Sequence, residues 1–426
     1  MKKAKIIILG AGGRGMNTYG EIVRSKEKIS EKVEIVGVSE RNDSRREKFK
    51  EIHNIPENMC FKSSEELFAQ PKIADGILVT TQDKQHLGHA MAALAKGYDI
   101  LLEKPIATTV EDCKTIAAEA KRLGRKVMVC HVLRYTVFYQ TFKKMIESGK
   151  IGEVVAIEAN EDVAYWHQAH SYVRGNWRNS EESGPMILTK SCHDMDLLSW
   201  LMGKKCSKVS SFGSLYYFKK EKAPEGATLR CLDGCKVKEK CPYDAEKIYI
   251  TGKLGINNNT GFPIDSFVLN PTLENVTAEI QNGHYGRCVF HCDNNVVDHQ
   301  IVNAEFEDGA TASFTMSAFN GGGRNMKIMG TLGYIYTQDF GNVITLQEYS
   351  LNGEKYESVD IRTLTDDFSG HGGGDSELFE DFVNLLLDDN YTNTTITTIE
   401  DSLQSHLMAF AAEESRVNGG QPVIIN

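Results

Sequence analysis

The chain has 426 residues, 41% of them hydrophobic and 25% charged, and a formal net charge of −10. That length exceeds what one ordinary hydrophobic core organises, so two domains are expected. An acidic chain argues against nucleic acid or an anionic membrane as partner, since both need a basic surface, and no apolar run is long enough to cross a bilayer. The chain enters an apolar run directly after Met1-Lys2-Lys3, without a signal segment, and its ten cysteines are scattered. Reduced thiols in the cytoplasm are the expectation.

Ile6 to Leu9 form a short apolar run suited to a strand buried on both faces. Gly10, Gly12 and Gly15 follow at G-x-G-x-x-G spacing, with Gly13 and Arg14 between them. Glycine permits the tight turn, the approach of a pyrophosphate to the backbone and the close packing of the next helix, whose N-terminus attracts phosphate. Val33 to Ser39 reads as the second strand, with Glu40 at its end, where a carboxylate would bind the adenosine ribose. That favours NAD; Arg41 beside it would suit a 2′-phosphate and keeps NADP open.

Ser63 to Glu66 opens a short helix with a capping box. Gly76 to Thr80 is a buried strand, followed by a loop over Thr81 to His86 and a helix from Leu87 to Lys96 closed by Gly97. Strand Asp99 to Leu102 runs into Glu103-Lys104-Pro105. A second capping box, Thr108 to Glu111, opens a helix that stops at Gly124, and Val127 to Val132 is one more strand. Alternating strand and helix predict a doubly wound parallel sheet over residues 1–130. Ligands of such sheets lie beyond the strands' carboxyl ends. Thr80, Thr81, Gln82, His86, Glu103 and Lys104 fall there as cofactor contacts, and His131 and Arg134 as substrate contacts. Lys104 is pinned between a strand end and a proline. Partly desolvated beside an oxidised nicotinamide, its ammonium would trade a proton with a hydroxyl.

In the second half, Val154 to Ala159 reads as a strand. Tyr165 to Arg178 is dense in aromatic, histidine and arginine residues, a composition that suits a sugar. Trp166, His170, Arg174 and Trp177 are its candidate substrate contacts. Gln300 to Phe306, Asp308-Gly309 and Thr311 to Phe319 give a hairpin signal, and Lys327 to Met329, Tyr334 to Thr337 and Val343 to Tyr349 continue a large sheet. His371-Gly-Gly-Gly-Asp375 precedes an amphipathic helix through Leu386; its glycines suit either close approach to substrate or a loose loop. A last helix from about Ile399 to Arg416 precedes a closing strand, Gln421 to Ile425. Cys231, Cys235 and Cys241, in an insertion near 228–245, could ligate zinc if a fourth ligand came from His284, His291 or Cys292. Free thiols are the favoured reading, because no C-x-x-C pair is present.

Gly10-x-Gly12-x-x-Gly15, Thr81 with His86, and Glu103-Lys104-Pro105 together resemble the Gfo/Idh/MocA oxidoreductases, as do Gly149 to Glu153 and Gly330 to Gly333. The resemblance spans essentially the whole chain. It implies a Rossmann domain followed by an α+β domain over 131–426 with a large, open-faced, mostly antiparallel sheet. It also implies a nicotinamide between the domains, a sugar or cyclitol substrate, and a homo-oligomer, dimer or tetramer. Lys104 matches the family's acid/base lysine. His193 matches its catalytic histidine, on a helix read from Gly184 to Asp196, but the aspartate expected four residues earlier is Thr189. Two readings follow: Asp194 or Asp196 orients His193, or Lys190 takes over part of the charge role. Thr189, Lys190 and Asp194 are therefore candidate substrate contacts.

Three functions are compatible with these residues. The first is an NAD(P)-dependent dehydrogenase of a sugar or polyol, the second a glycosidase that oxidises and re-reduces its substrate with retained NAD. The third is a non-catalytic NAD(P)-binding regulator, against which Lys104 and His193 both count.

Overall fold

The computed structural model describes residues 3–338, 342–353, 355–367 and 369–425; Met1 and Lys2, where the first domain is expected to open, lie outside them. Six strands form a wholly parallel sheet: β1 (Ala4–Leu9), β2 (Val33–Ser39), β3 (Cys60–Phe61), β4 (Gly76–Val79), β5 (Asp99–Leu102) and β6 (Val127–Val129). Their order is β3-β2-β1-β4-β5-β6. The strands are largely apolar because helices cover both faces, and Ile6, Ile7 and Ile8 are fully buried, with Lys5 and Glu34 exposed near the strand starts. Strand order reverses at β1, and the crevice beyond its carboxyl end is where such sheets bind ligands. There the chain turns into α1 (Gly13–Gly20).

The helices α2 (His86–Ala95) and α3 (Val110–Leu123) cover one face. The cap of α3 sits one residue later than the capping box suggests: the Thr109 hydroxyl, not that of Thr108, accepts the Asp112 N–H at 3.1 Å. Gly124 ends α3 at φ +60°, a conformation that costs glycine little.

Nine strands form the second sheet: β7 (Val154–Ala164), β8 (Cys206–Ser214), β9 (His299–Phe306), β10 (Thr311–Asn320), β11 (Gly323–Gly330), β12 (Gly333–Gln338), β13 (Val343–Glu348), β14 (Lys355–Asp360) and β15 (Val423–Ile424). They run in the order β14-β13-β12-β11-β7-β10-β9-β8-β15, antiparallel except for β7 beside β10. Burial alternates along β9 and β10, so one face is core and the other open. β7 extends five residues past its expected end because β10 and β11 pair with it on both sides, and this carries Glu161 to the domain interface.

Helix α4 (Cys192–Met202) packs on the covered face. Between β8 and β9, residues 215–298 form an insertion wider than 228–245, with its own apolar cluster and one longer helix, α5 (Leu273–Asn282). Helix α6 (Gly374–Leu387) returns to the first sheet, where Leu378, Phe379 and Phe382 join its core. Val129 then donates its N–H to the Thr397 carbonyl at 2.9 Å, and α7 (Ile399–Val417) packs on α3, α4 and β8. The boundary near 130 is thus crossed twice by the last part of the chain. Among the described residues no helix is long and apolar enough to cross a membrane.

Candidate active site

The glycine turn has the shape a dinucleotide requires. Gly10 has φ +101°, and a Cβ there would lie 2.8 Å from the Thr80 carbonyl oxygen. A Cβ on Gly15 would meet the Gly10 oxygen at 2.1 Å, whereas Gly12 and Gly13 face open space. The Thr80 hydroxyl locks the turn by donating to the Gly10 carbonyl at 2.7 Å. Glu40 reaches the same turn: its carboxylate accepts the N–H groups of Ala11 and Asn42, each at 2.8 Å. A carboxylate there fits ribose hydroxyls and repels a 2′-phosphate, so these residues fit NAD; Arg41 is exposed.

Several expected cofactor contacts instead build the scaffold. Arg14 is committed to Glu103 at 2.6 Å, Asp375 at 2.7 Å and the Tyr19 hydroxyl at 3.0 Å. Glu103 faces inward and is buried. Burial pushes its carboxyl up, but the Arg14 guanidinium outweighs that and holds it below the ordinary glutamate value. His86 is also buried, its ring nitrogens 2.7 and 3.1 Å from the carbonyl oxygens of Pro105 and Thr81, so it ties two loops together. Thr81 pairs with His89 at 2.9 Å, and Gln82 is exposed.

Lys104 leaves the end of β5, and its Nζ donates to the Thr189 carbonyl oxygen at 2.7 Å, joining the two domains. The segment it meets is not one helix. A short turn, Met186–Thr189, ends at Lys190, and α4 begins after Ser191. The break separates Thr189 from His193, which α4 carries together with Asp194 and Asp196. Asp196 forms a bidentate pair with Arg134 at 2.7 and 2.6 Å, and Asp194 pairs with Arg324 at 2.9 Å. Lys190 pairs with Glu161 at 3.1 Å, and Glu161 also contacts Arg324. Neither aspartate orients His193, and Arg134 is a structural cation, not a substrate contact.

His193 is 5% exposed and its Nδ1 has no hydrogen-bond partner among the described residues; both ring nitrogens of His131 are likewise unpartnered. The two rings meet edge-on at 5.6 Å, and His371 lies 6.1 Å from His193. His371 Nδ1 is 3.0 Å from Asp375, which also holds Arg14. This dyad lies in the His371-Gly-Gly-Gly-Asp375 loop, where histidine and aspartate one helical turn apart were the available signal. Glu161 and Arg324 lay beyond sequence reasoning, because only the sheet brings them to Lys190.

The aromatic stretch divides. Trp166 stacks on His167 at 5.6 Å, and Trp177 donates its indole N–H to Asp83 at 3.0 Å across the domain interface. His170 and Arg174 turn away into the insertion. His170 bonds the Tyr249 hydroxyl at 3.0 Å, and Arg174 donates to the carbonyls of Arg287 and Tyr243. Sequence alone assigns them to substrate because polar groups in an aromatic stretch look unused; here the insertion uses them.

Burial and then nearby cations hold the His131 and His193 rings below the ordinary histidine value. Arg134 and Lys104 act on His131, and Lys104 acts on His193; His406, whose ring bridges the Ile106 N–H and the Ser402 carbonyl, is pushed down to about 3 mainly by burial. Their folded values lie below the unfolded one near 6.5, so the unfolded chain takes up protons that the fold refuses. Stability is therefore complete above about pH 6.5 and drains away as pH falls toward 3. Thermal unfolding followed from pH 7 to 4.5 should show a steadily falling midpoint, shallower in His406→Gln. A flat profile down to pH 5 would show that these rings protonate inside the fold.

Two family models match the chain: "Oxidoreductase family, NAD-binding Rossmann fold" over residues 4–131 and "Oxidoreductase family, C-terminal alpha/beta domain" over 143–425. YteT of Bacillus subtilis (strain 168) is 28% identical over 402 residues, 88% of this chain and 87% of that protein. An oxidoreductase from Agrobacterium radiobacter, solved with NAD+, L-tartaric acid and magnesium, superposes with a TM-score of 0.68 at 16% identity, covering 99% of this chain and 98% of that one. The WlbA dehydrogenase from Bordetella pertussis, solved with NADH and UDP-GlcNAcA, gives 0.66 at 17% identity over 100% and 98%.

Proposed function

The chain belongs to the Gfo/Idh/MocA oxidoreductase family, and from that premise we propose that it is an NAD-dependent dehydrogenase acting on a hydroxyl of a sugar, sugar derivative or cyclitol. The reading is carried by one contact, Lys104 Nζ on the Thr189 carbonyl at 2.7 Å, which holds an ammonium at the domain interface four residues from His193. Bound in the glycine cradle with its ribose on Glu40, NAD supplies the hydride acceptor. Lys104 orients and polarises the substrate hydroxyl by donating to its oxygen. The neutral His193 imidazole takes the hydroxyl proton, and His131 shields that ring from water. Thr189 stands where the family carries aspartate, so the cleft keeps one negative charge fewer beside Lys104. The polyhydroxy and sugar-nucleotide ligands of the two solved relatives agree with a hydroxylated substrate.

The test is a panel of sugars, sugar acids and cyclitols with NAD+ or NADP+, followed by absorbance of the reduced nicotinamide. NAD+ should be preferred by about tenfold or more, and Glu40→Ala should lose about tenfold in NAD affinity, the value of a hydrogen bond to a charged group. Equal use of both cofactors, unaffected by Glu40→Ala, would remove Glu40 from ribose recognition. A second reading, redox-neutral glycoside cleavage with retained NAD, is favoured by the number of neutral imidazoles around Lys104, His131, His167 and His193 among them. Elimination and hydration need more proton transfers than oxidation alone. Aglycone release without net NADH, lost when NAD is stripped, would support it.

A further inference from the structure

Five of the ten cysteines fall within the insertion, and all ten thiols are free. This region has one helix of ten residues and otherwise short turns, the kind of small irregular body that elsewhere depends on disulfides or metal. Cys231, Cys235, Cys241 and Cys288 line one small cavity of about 20 Å³. The backbone builds this convergence. Cys231 donates its N–H to the Gly286 carbonyl, and Cys288 to that of Leu229, at 3.0 and 2.9 Å, so the two cysteines flank the Arg230–Arg287 bridge diagonally on one face. Turns at Gly234 and over Lys238–Lys240 fold the other two toward them. Cys288, not His284, His291 or Cys292, is thus the fourth member of the set.

Arg174 lines the same cavity and is 1% exposed. Its Nη2 lies 3.6 Å from Cys231 Sγ, its Nη1 has no hydrogen-bond partner among the described residues, and its other bonds go to the neutral backbone carbonyls of Arg287 and Tyr243. A buried guanidinium demands a counter-charge. Four neutral thiols supply none, whereas four thiolates around a divalent ion, or around a four-iron cluster of charge 2+, carry a net charge of 2−.

We infer that Cys231, Cys235, Cys241 and Cys288 ligate a metal–thiolate centre whose negative charge is balanced by Arg174. The shared chemistry is four thiolates, and two inorganic bodies offer it. A single zinc ion draws its sulfurs to about 2.3 Å, and among the described residues no three such side chains converge as ligands of one ion. An iron–sulfur cluster holds its cysteines further apart, and Cys241 is followed by proline, as is the last cysteine of bacterial ferredoxin runs. The cluster is the favoured body. Since Tyr165 to Arg174 runs from the wall of the active site into this centre, the centre would hold that wall in place.

The experiment is metal and acid-labile sulfide analysis of the full chain purified without oxygen, together with its visible spectrum. About four iron and four sulfide per chain with absorption near 400 nm identify the cluster; about one zinc per chain without colour identifies the ion. Either supports the centre. Cys288→Ser should lose most of the bound metal, and Cys113→Ser, outside the insertion, should keep it. Should Cys288→Ser fail to fold, counting free thiols in the denatured wild type before and after metal removal answers the same question, since four thiols should be released. Ten free thiols as purified, with no uptake of zinc or of iron plus sulfide, would overturn the inference.

Discussion

Replacing Lys104 with alanine should lower kcat by about a thousandfold, within the range that positioned acid/base and charge groups contribute, and leave NAD affinity within about twofold. The separation follows from where the two functions sit. The cofactor cradle is made by Gly10, Gly12, Gly15 and Glu40, whereas among the described residues the Lys104 ammonium donates to Thr189 alone. Its backbone is held independently, through the Lys104 N–H on Glu103 Oε2 at 3.2 Å. Removing a partly buried side chain that makes one hydrogen bond to a neutral carbonyl should also move the melting temperature little. Lys104→Arg should recover only a small part of the rate, because a planar guanidinium cannot take the place of a compact ammonium donor. Steady-state kinetics with a calorimetric NAD titration checks both halves. Turnover within tenfold of wild type in Lys104→Ala would remove this lysine from the chemistry, and a wild type without turnover, binding NAD normally, would favour the regulator.

The first sheet was readable because its signals are local: apolar runs, glycine at fixed offsets and caps within one turn all act over a few residues. The position of Lys104 just past a strand end was readable for the same reason. The ion pairs were not. Asp194 and Arg324 are 130 positions apart, and nothing near either residue names its partner. The break at Lys190 and Ser191 was also hidden, since Met186 to Met202 has no proline or interior glycine to mark it. Its consequence is that Thr189 and His193 lie on separate elements, whereas His193 and Asp196 share α4 and Asp196 turns to Arg134 instead. Arg174 and His170 read as substrate groups until the insertion, whose few regular elements leave little periodic signal, was seen to close over them.

The pairing of Asp196 with Arg134 makes the second large effect a matter of stability rather than rate. Asp196 is 1% and Arg134 4% exposed. Burial raises the Asp196 carboxyl above its ordinary value even though Arg134 pulls it down, so the ionised pair adds little net stability to the fold. Losing one partner is a different matter. Asp196→Asn leaves the guanidinium buried without its hydrogen-bonded charge partner, with the Trp200 ring 5.6 Å away and Asp401 acting on it without a direct bond, and should cost about 3–5 kcal/mol in urea unfolding. The double variant Arg134→Met, Asp196→Leu removes both charges and should regain most of that loss, which a double-mutant cycle measures directly. At a temperature where Asp196→Asn remains folded, its kcat should stay within about threefold of wild type, because His193 receives no bond from this carboxylate. Were Asp196 the group that orients His193, the pattern would invert: stability would hold, kcat would fall by orders of magnitude, and the double variant would be as slow as the single one.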